Sequence, residues 1–193
     1  MLKKLLEKPS NKILYVLLIV SLVLFIILTI FFQVYPVNTN MSPYGILDFE
    51  LAFSSESIKI IFTEWNTNPV IFHEQLVGVY VDFVYIISYV LMFDLIMLLL
   101  IRKFDGRFQN FSLLMMLLPV IAGICDVIEN IGLLNMLNTR DLYISGSGSD
   151  IIPFMTSTFA TTKFMLLILS LIFIMIELTY LIIKKRKKIR NRD

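Results

Sequence analysis

The chain has one cysteine, Cys125, and one histidine, His73. An intramolecular disulfide is therefore excluded, and so is a multi-histidine zinc site within one chain. There is no nucleophile motif, no glycine-rich phosphate loop and no metal-binding His/Cys set, and the sequence names no cofactor. Nothing in the composition points to nucleic acid. A small-residue cleavage site is also missing after the first apolar run, where "QVYPVN" follows directly. That run, Ile13 to Phe32, exceeds the roughly 7–15 apolar residues of a secretory signal, so it reads as a retained anchor.

What the chain has in excess is apolar sequence. Of its 193 residues 58% are hydrophobic, with a mean hydropathy of +0.82, against about 45–50% apolar residues in soluble domains. The excess falls into four blocks, 13–32, 76–101, 112–137 and 159–183. Each reaches the roughly 20 residues that a helix needs to cross a hydrocarbon core of about 30 Å. The expected fold is an all-α, integral membrane four-helix bundle. It forms one membrane domain over 1–193, with the lipid bilayer as its first partner.

Basic residues set the expected orientation. Lys3, Lys4, Lys8 and Lys12 precede the first block, Arg102, Lys103 and Arg107 follow the second, and the tail 184–193 carries "KKRKKIRNR". The other two loops hold only Lys59 and Arg140 among seven acids. Both termini are thus expected on the cytoplasmic side, in a multi-pass protein of a bacterial plasma membrane. The basic tail reads as a stop-transfer flank, with contact to anionic lipid as the alternative.

The outer segment, 34–75, is too long for a tight connection. Within it Ile58, Ile61, Phe62 and Trp65 share a helical face, with Glu56, Lys59 and Glu64 elsewhere. Ser54 or Ser55 suits the N-cap, and Asn66, Asn68 and Pro69 suit the end. An extracytoplasmic amphipathic helix between spans one and two is predicted, lying over the span ends as a partial lid. Asp48 and Glu50 interrupt the apolar run before it, either as solvated acids or with one turned inward. "SGSGSD" (145–150) reads as a flexible linker by composition, and Asn40-Met-Ser42 is a weak glycosylation sequon.

Six ionisable residues fall inside the blocks: Asp82, Asp94, Asp126, Glu129, Lys163 and Glu177. Each costs about 2.5–3.5 kcal/mol at a membrane centre, so each should face the bundle interior or water. Asp82, Asp126, Glu129 and Lys163 come from three spans and share the outer half. Asp82, Tyr85 and Tyr89 form one stripe below Gly78, and Asp126, Glu129, Asn130 and Leu133 form another. Lys163, Ser170 and Glu177 recur at seven-residue spacing. Ala122 and Gly123 favour close helix approach, and Pro119 is placed to kink the third span. Asp94 and Glu177 lie near the inner boundary, where they are expected to snorkel towards Arg102, Lys103 or Lys184.

Three acids facing one lysine leave two carboxylates without a cation. Such a set is either a buried polar clamp or a pocket whose acids hold protons, a cation or water. Three functions follow. The pocket binds or moves a small cation, a proton or a polar lipid; a divalent ion would take Asp82, Asp126 and Glu129 as oxygen ligands. Four spans make a thin bundle, so conduction would call for a homo-oligomer. Alternatively the protein is an intramembrane enzyme acting on a lipid or sterol-like substrate, with Asp82 and Glu129 as an acid/base pair and Lys163 as electrostatic partner. In the third reading it is a membrane scaffold or assembly protein.

"GILDFELAF" (45–53), Trp65, "VDFVYIISY" (81–89), "AGICDVIEN" (122–130) and "TTKF" (161–164) together resemble a group of small, mostly bacterial, uncharacterised four-span membrane proteins. The shared pattern spans about residues 45 to 165, and Asp-x-x-Glu-Asn is its most specific part. The resemblance implies that Asp48, Glu50, Trp65, Asp82, Tyr85, Tyr89, Asp126, Glu129, Asn130 and Lys163 belong to one constellation, with Asp48, Glu50 and Trp65 on its lid. It implies no activity.

Overall fold

The computed structural model describes residues 6–34, 42–68 and 70–190. Asn40 of the sequon, Pro69, Lys3, Lys4 and Arg192 lie outside the described residues. Eight helices account for the ordered structure, with no strand among the described residues. Four spans are long and apolar enough to cross a membrane. They are α1 (Asn11–Val34), α4 (Val70–Ile101), a broken third span of α5 (Gly106–Met115) and α6 (Leu117–Asn138), and α8 (Ile151–Arg190). Between them lie α2 (Ile46–Glu50), α3 (Ser55–Trp65) and α7 (Arg140–Ile144).

The third span breaks at Met116, three residues before Pro119. Proline has no N–H to donate to the carbonyl four residues back, here that of Met115. The helix therefore closes as α5 and restarts as α6. The other boundaries are wider than the apolar blocks. α8 starts eight residues before the expected position and carries the basic tail as helix through Arg190. At about 1.5 Å per residue its 40 residues reach about 60 Å, twice the thickness of a hydrocarbon core of about 30 Å.

The bundle holds together through α6, which packs along α8 and against α4, while α1 packs along α4. Two apolar cores result, one at each end. At the end bearing the basic residues, Leu14, the last turns of α4 from Leu95 to Ile101, Phe104, Leu113 and Phe173 interlock. At the opposite, capped end, Phe49, Ile58, Phe62, Trp65, Phe72, Leu133 and Tyr143 form a second core. The predicted face of α3 is the buried one: Ile58, Ile61, Phe62 and Trp65 all lie inside, each contributing about 1.5–3 kcal/mol of apolar burial. Ser54 is the cap, its hydroxyl accepting from the Ser57 N–H. The Trp65 indole N–H donates to the Tyr44 carbonyl at 3.0 Å, satisfying its one polar atom inside an aromatic cluster.

Two further contacts tie the cap to α8. The Ser55 N–H and hydroxyl both donate to Asp150 Oδ1, at 2.7 and 2.6 Å, which holds the Asp150 carboxyl below the usual carboxylate range. The Phe53 N–H donates to Ser157 Oγ at 2.9 Å, with Phe53 itself at φ 55°. The "SGSGSD" stretch is a fitted turn rather than a free linker. The Ser147 N–H donates to the Leu142 carbonyl at 2.8 Å, and Gly148 lies flat against the Tyr143 ring, where any Cβ would collide.

Glycines also set the helix separations. A Cβ on Gly123 would lie 2.7 Å from Val90 Cγ2, so this glycine allows the close approach of α6 to α4. A Cβ on Gly132 would run into the Thr156 hydroxyl of α8. Gly132→Ala should therefore wedge α6 from α8 and lower the melting temperature in detergent, at a cost of about 1–3 kcal/mol. Adding Thr156→Ala should recover most of the loss. A Gly132→Ala protein that melts like wild type would show that this contact does not set the α6–α8 spacing.

Candidate functional site

Between the two apolar cores lies a polar layer, built from α4, α6 and α8 and closed over by α2. On α4, Gln75, Gly78, Asp82, Tyr85 and Tyr89 follow one another at three- and four-residue steps, and therefore share one face. On α6, Asp126 and Asn130 lie one turn apart, with Glu129 beside them and rotated towards α8. Lys163 enters from α8, within its first four turns.

The Lys163 ammonium is the hub. Its Nζ donates to Asp126 Oδ1 and to Glu129 Oε1, both at 2.9 Å. It lies 2.8 Å from Glu129 Oε2 and 3.5 Å from Glu50 Oε2. All four side chains are almost entirely removed from solvent, with Glu129 at 0% exposure. A buried cation this well surrounded is the arrangement that offsets its desolvation. The second oxygen of Asp126 accepts from the Tyr89 hydroxyl at 2.8 Å, so α2, α4, α6 and α8 all join one network.

Asp82 stands next to this network and outside it. Its Oδ2 accepts from Asn130 Nδ2 at 2.7 Å. Among the described residues no basic group lies within ion-pair distance, and Oδ1 has no hydrogen-bond partner. Tyr85, one turn along, sits in a ring cluster: its centroid is 5.1 Å from Phe25, 5.4 Å from Phe32 and 5.8 Å from Tyr89. Thr29 of α1 places its hydroxyl 3.4 Å from that of Tyr85.

These groups surround a cavity of about 420 Å³, within the roughly 300–1,000 Å³ of small-molecule sites. Asp82, Asp126, Asn130, Lys163 and Glu50 make its polar end. Phe25, Phe32, Phe93, Phe164 and Leu167 make an apolar wall drawn from α1, α4 and α8. A Cβ on Gly78 would meet nothing within 4 Å, so this glycine leaves room in the cavity rather than close packing.

Several sequence-predicted residues take other places. Asp48 accepts from the Gly45 N–H at 2.8 Å and serves to start α2. Trp65 is buried in the cap core, away from the cavity. Of the three lid residues, only Glu50 reaches the polar layer. Glu129 touches Lys163 but does not line the cavity, which separates it from Asp82 as an acid/base partner for anything bound there. Asp82, Asp126 and Glu129 do not form one ligand set: Asp126 and Glu129 turn to Lys163, while Asp82 meets Asn130. No group of three acidic, His or Cys side chains suited to a metal is found among the described residues.

Asp94 and Glu177 do not reach the basic side chains expected for them. Lys184 instead pairs with Asp105 at 3.2 Å, and Arg102 donates to Asn11. Both Glu177 oxygens are buried without a hydrogen bond, and Ser112 faces them outside bonding geometry. The residues that sequence reasoning missed are Gln75, Thr29, Gln33 and the phenylalanines of α1. Gln75 carried a signal, since it lies seven residues before Asp82 on the same helical face.

No family model, curated protein or solved structure matches the chain.

Removing the hub should be severe. Lys163→Met leaves Asp126 and Glu129 buried without their cation, and breaking a buried pair in this way costs about 3–5 kcal/mol. A large fall in melting temperature is expected, and a variant as stable as wild type would refute the hub. Glu50 allows a test by pH. Burial holds its carboxyl above the ordinary 4.5, with Asp126 adding repulsion and Lys163 opposing both. The folded state then binds this proton more tightly than the unfolded chain does. The associated stability is complete below the unfolded value and is lost as pH rises through the folded one. As pH rises above the unfolded value, Glu50→Gln should lose less melting temperature than wild type. Equal slopes would mean that Glu50 contributes nothing to the pH dependence.

Proposed function

We propose that the protein is a ligand-binding membrane protein whose cavity takes a small amphiphile from the bilayer, with the polar end of the ligand at the Asp82–Asn130 side and its apolar part against the phenylalanine wall. In this reading the capped end faces outward, as the distribution of Lys and Arg indicates, and the pocket lies in the outer half of the membrane.

One observation carries the reading. α1 and α8 both border the cavity, yet α1 packs along α4 and makes no comparable contact with α8. The wall between them is therefore not sealed by helix packing, and it is lined there by Phe25, Phe32, Phe164 and Leu167. A site reached only from water would not need such a flank. A purely structural clamp would not need a cavity at all, because close packing of the same helices would satisfy its polar groups better. Moving a proton or an inorganic cation remains the chief alternative use of the acids, but it leaves the apolar wall without a role.

Gly78 gives a clean test. Gly78→Leu fills the cavity from a helical position with open space in front of it, leaving the Lys163 network untouched. It should fold with undiminished stability, since leaving glycine in a helix interior gains about 0.5–1 kcal/mol. Wild type in detergent should gain melting temperature from a membrane-lipid extract through preferential binding to the folded state. The Gly78→Leu protein should not respond. Equal stabilisation of both proteins, or of neither, would reject binding in this cavity.

A further inference from the structure

We infer that the polar end of the ligand is an ammonium group, held between the Asp82 carboxylate and the aromatic rings of Tyr85, Phe25 and Phe32. This rests on the ligand-binding reading above and names the chemical class that the same site selects.

Charge balance is the first argument. Four carboxylates border or adjoin the cavity (Glu50, Asp82, Asp126 and Glu129), and one cation, Lys163, lies among them. The lysine is committed: its ammonium donates to Asp126 and Glu129 and lies 3.5 Å from Glu50 Oε2. No Arg or His lines the cavity. An anionic headgroup would find no free cation there. A positive one would find Asp82, whose Oδ1 has no hydrogen-bond partner among the described residues while Asn130 holds its Oδ2 in place.

The second argument is independent of charge count. Tyr85 is flanked by Phe25 and Phe32 from α1 and by Tyr89 from its own helix, with every centroid separation below 6 Å. All four rings line the cavity, within one turn of Asp82 for Tyr85 and two for Tyr89. Phe25 and Tyr85 stack on each other, so a ligand nitrogen meets the sides of the cluster that border the cavity; a ring quadrupole there attracts a weakly hydrated alkylammonium. The cavity then continues along Phe93, Phe164 and Leu167, where an alkyl chain attached to that nitrogen would lie. A bare metal ion would use neither the rings nor the apolar wall.

The test uses a set of probes with one decyl chain and different ends: trimethylammonium, primary amine, alcohol and carboxylate. Each is titrated by calorimetry into the full-length protein in a neutral detergent. The two ammonium probes should bind about tenfold more tightly than the alcohol, and the carboxylate should bind more weakly than either. Asp82→Asn keeps the shape of the side chain and should reduce the ammonium probes to the affinity of the alcohol. Phe32→Leu, which lies outside the polar network, should weaken trimethylammonium more than alcohol even if Asp82→Asn fails to fold.

Equal binding of ammonium and alcohol by wild type, removed by Gly78→Leu, would overturn the ammonium assignment and leave the pocket standing. Preference for the carboxylate would overturn it more directly. Binding of no probe, with Gly78→Leu indistinguishable from wild type, would remove the ligand-binding reading itself.

Discussion

The Lys163 ammonium is the contact on which the rest of the architecture depends. A cation in a span is tolerated only when other groups satisfy it, and here the satisfying groups come from two different elements. Asp126 and Glu129 bring α6 to α8, and Glu50 brings the short α2 down onto both. Tyr89 then adds α4 through Asp126. The interaction thus selects which helix faces turn inward, a directional demand that apolar packing alone does not make among spans equally greasy on every side. α1 is the exception. It takes no part in this network and approaches the site through Thr29, Gln33 and its phenylalanines.

Three glycines show how the same residue serves opposite ends. Gly123 and Gly132 are crowded, by Val90 and by Thr156, and their missing side chains let α6 lie close to α4 and α8. Without those approaches Tyr89 and Lys163 would not reach Asp126. Gly78 is empty instead: its side of α4 meets no atom, and the space in front of it belongs to the cavity. A protein interior ordinarily closes such space, since an unfilled volume forfeits contact energy. Here the space is kept, in front of a glycine and beside Asp82, whose one hydrogen bond among the described residues comes from Asn130; on the proposed reading the ligand supplies the missing contacts.

Much of this was legible in the residues, and the limits have physical causes. The four spans follow from run length, and the buried face of α3 from its period, because both are local properties of the chain. The convergence of Asp82, Asp126, Asn130 and Lys163 could be anticipated because intramembrane charges have few places to go. The role of Glu50 was not decidable, since a single turn of helix has no period and its direction depends on tertiary contacts. Asp48, in the same short motif as Glu50, and Trp65, beyond it, turn away, one to start α2 and one into the aromatic core. The share of α1 in the cavity was invisible: a phenylalanine in an apolar run looks the same whether it faces lipid or a ligand. The turn at 145–150 was misread because composition reports chain flexibility, whereas Gly148 is there to admit the Tyr143 ring.

The two ends of the site differ in what holds them, and this bears on the route to the cavity. Above it, α2 is fixed from several directions. Phe49 sits at 0% exposure among Phe62 and Trp65, Glu50 is drawn to Lys163, and Phe53 and Ser55 are hydrogen-bonded to the start of α8. Opening the cap would require exposing that aromatic core and breaking the buried ion pair together. Beside the cavity, α1 is held mainly by apolar contact along α4, and little of its surface is covered. Within a bilayer, separating α1 from its neighbours exchanges protein contact for lipid contact; among the described residues the polar contacts given up are the long Thr29–Tyr85 approach and the Arg102–Asn11 hydrogen bond at the helix start. The easier motion is therefore lateral. A polar site with a rigid roof and a loosely held apolar side is suited to a ligand that is itself dissolved in the membrane.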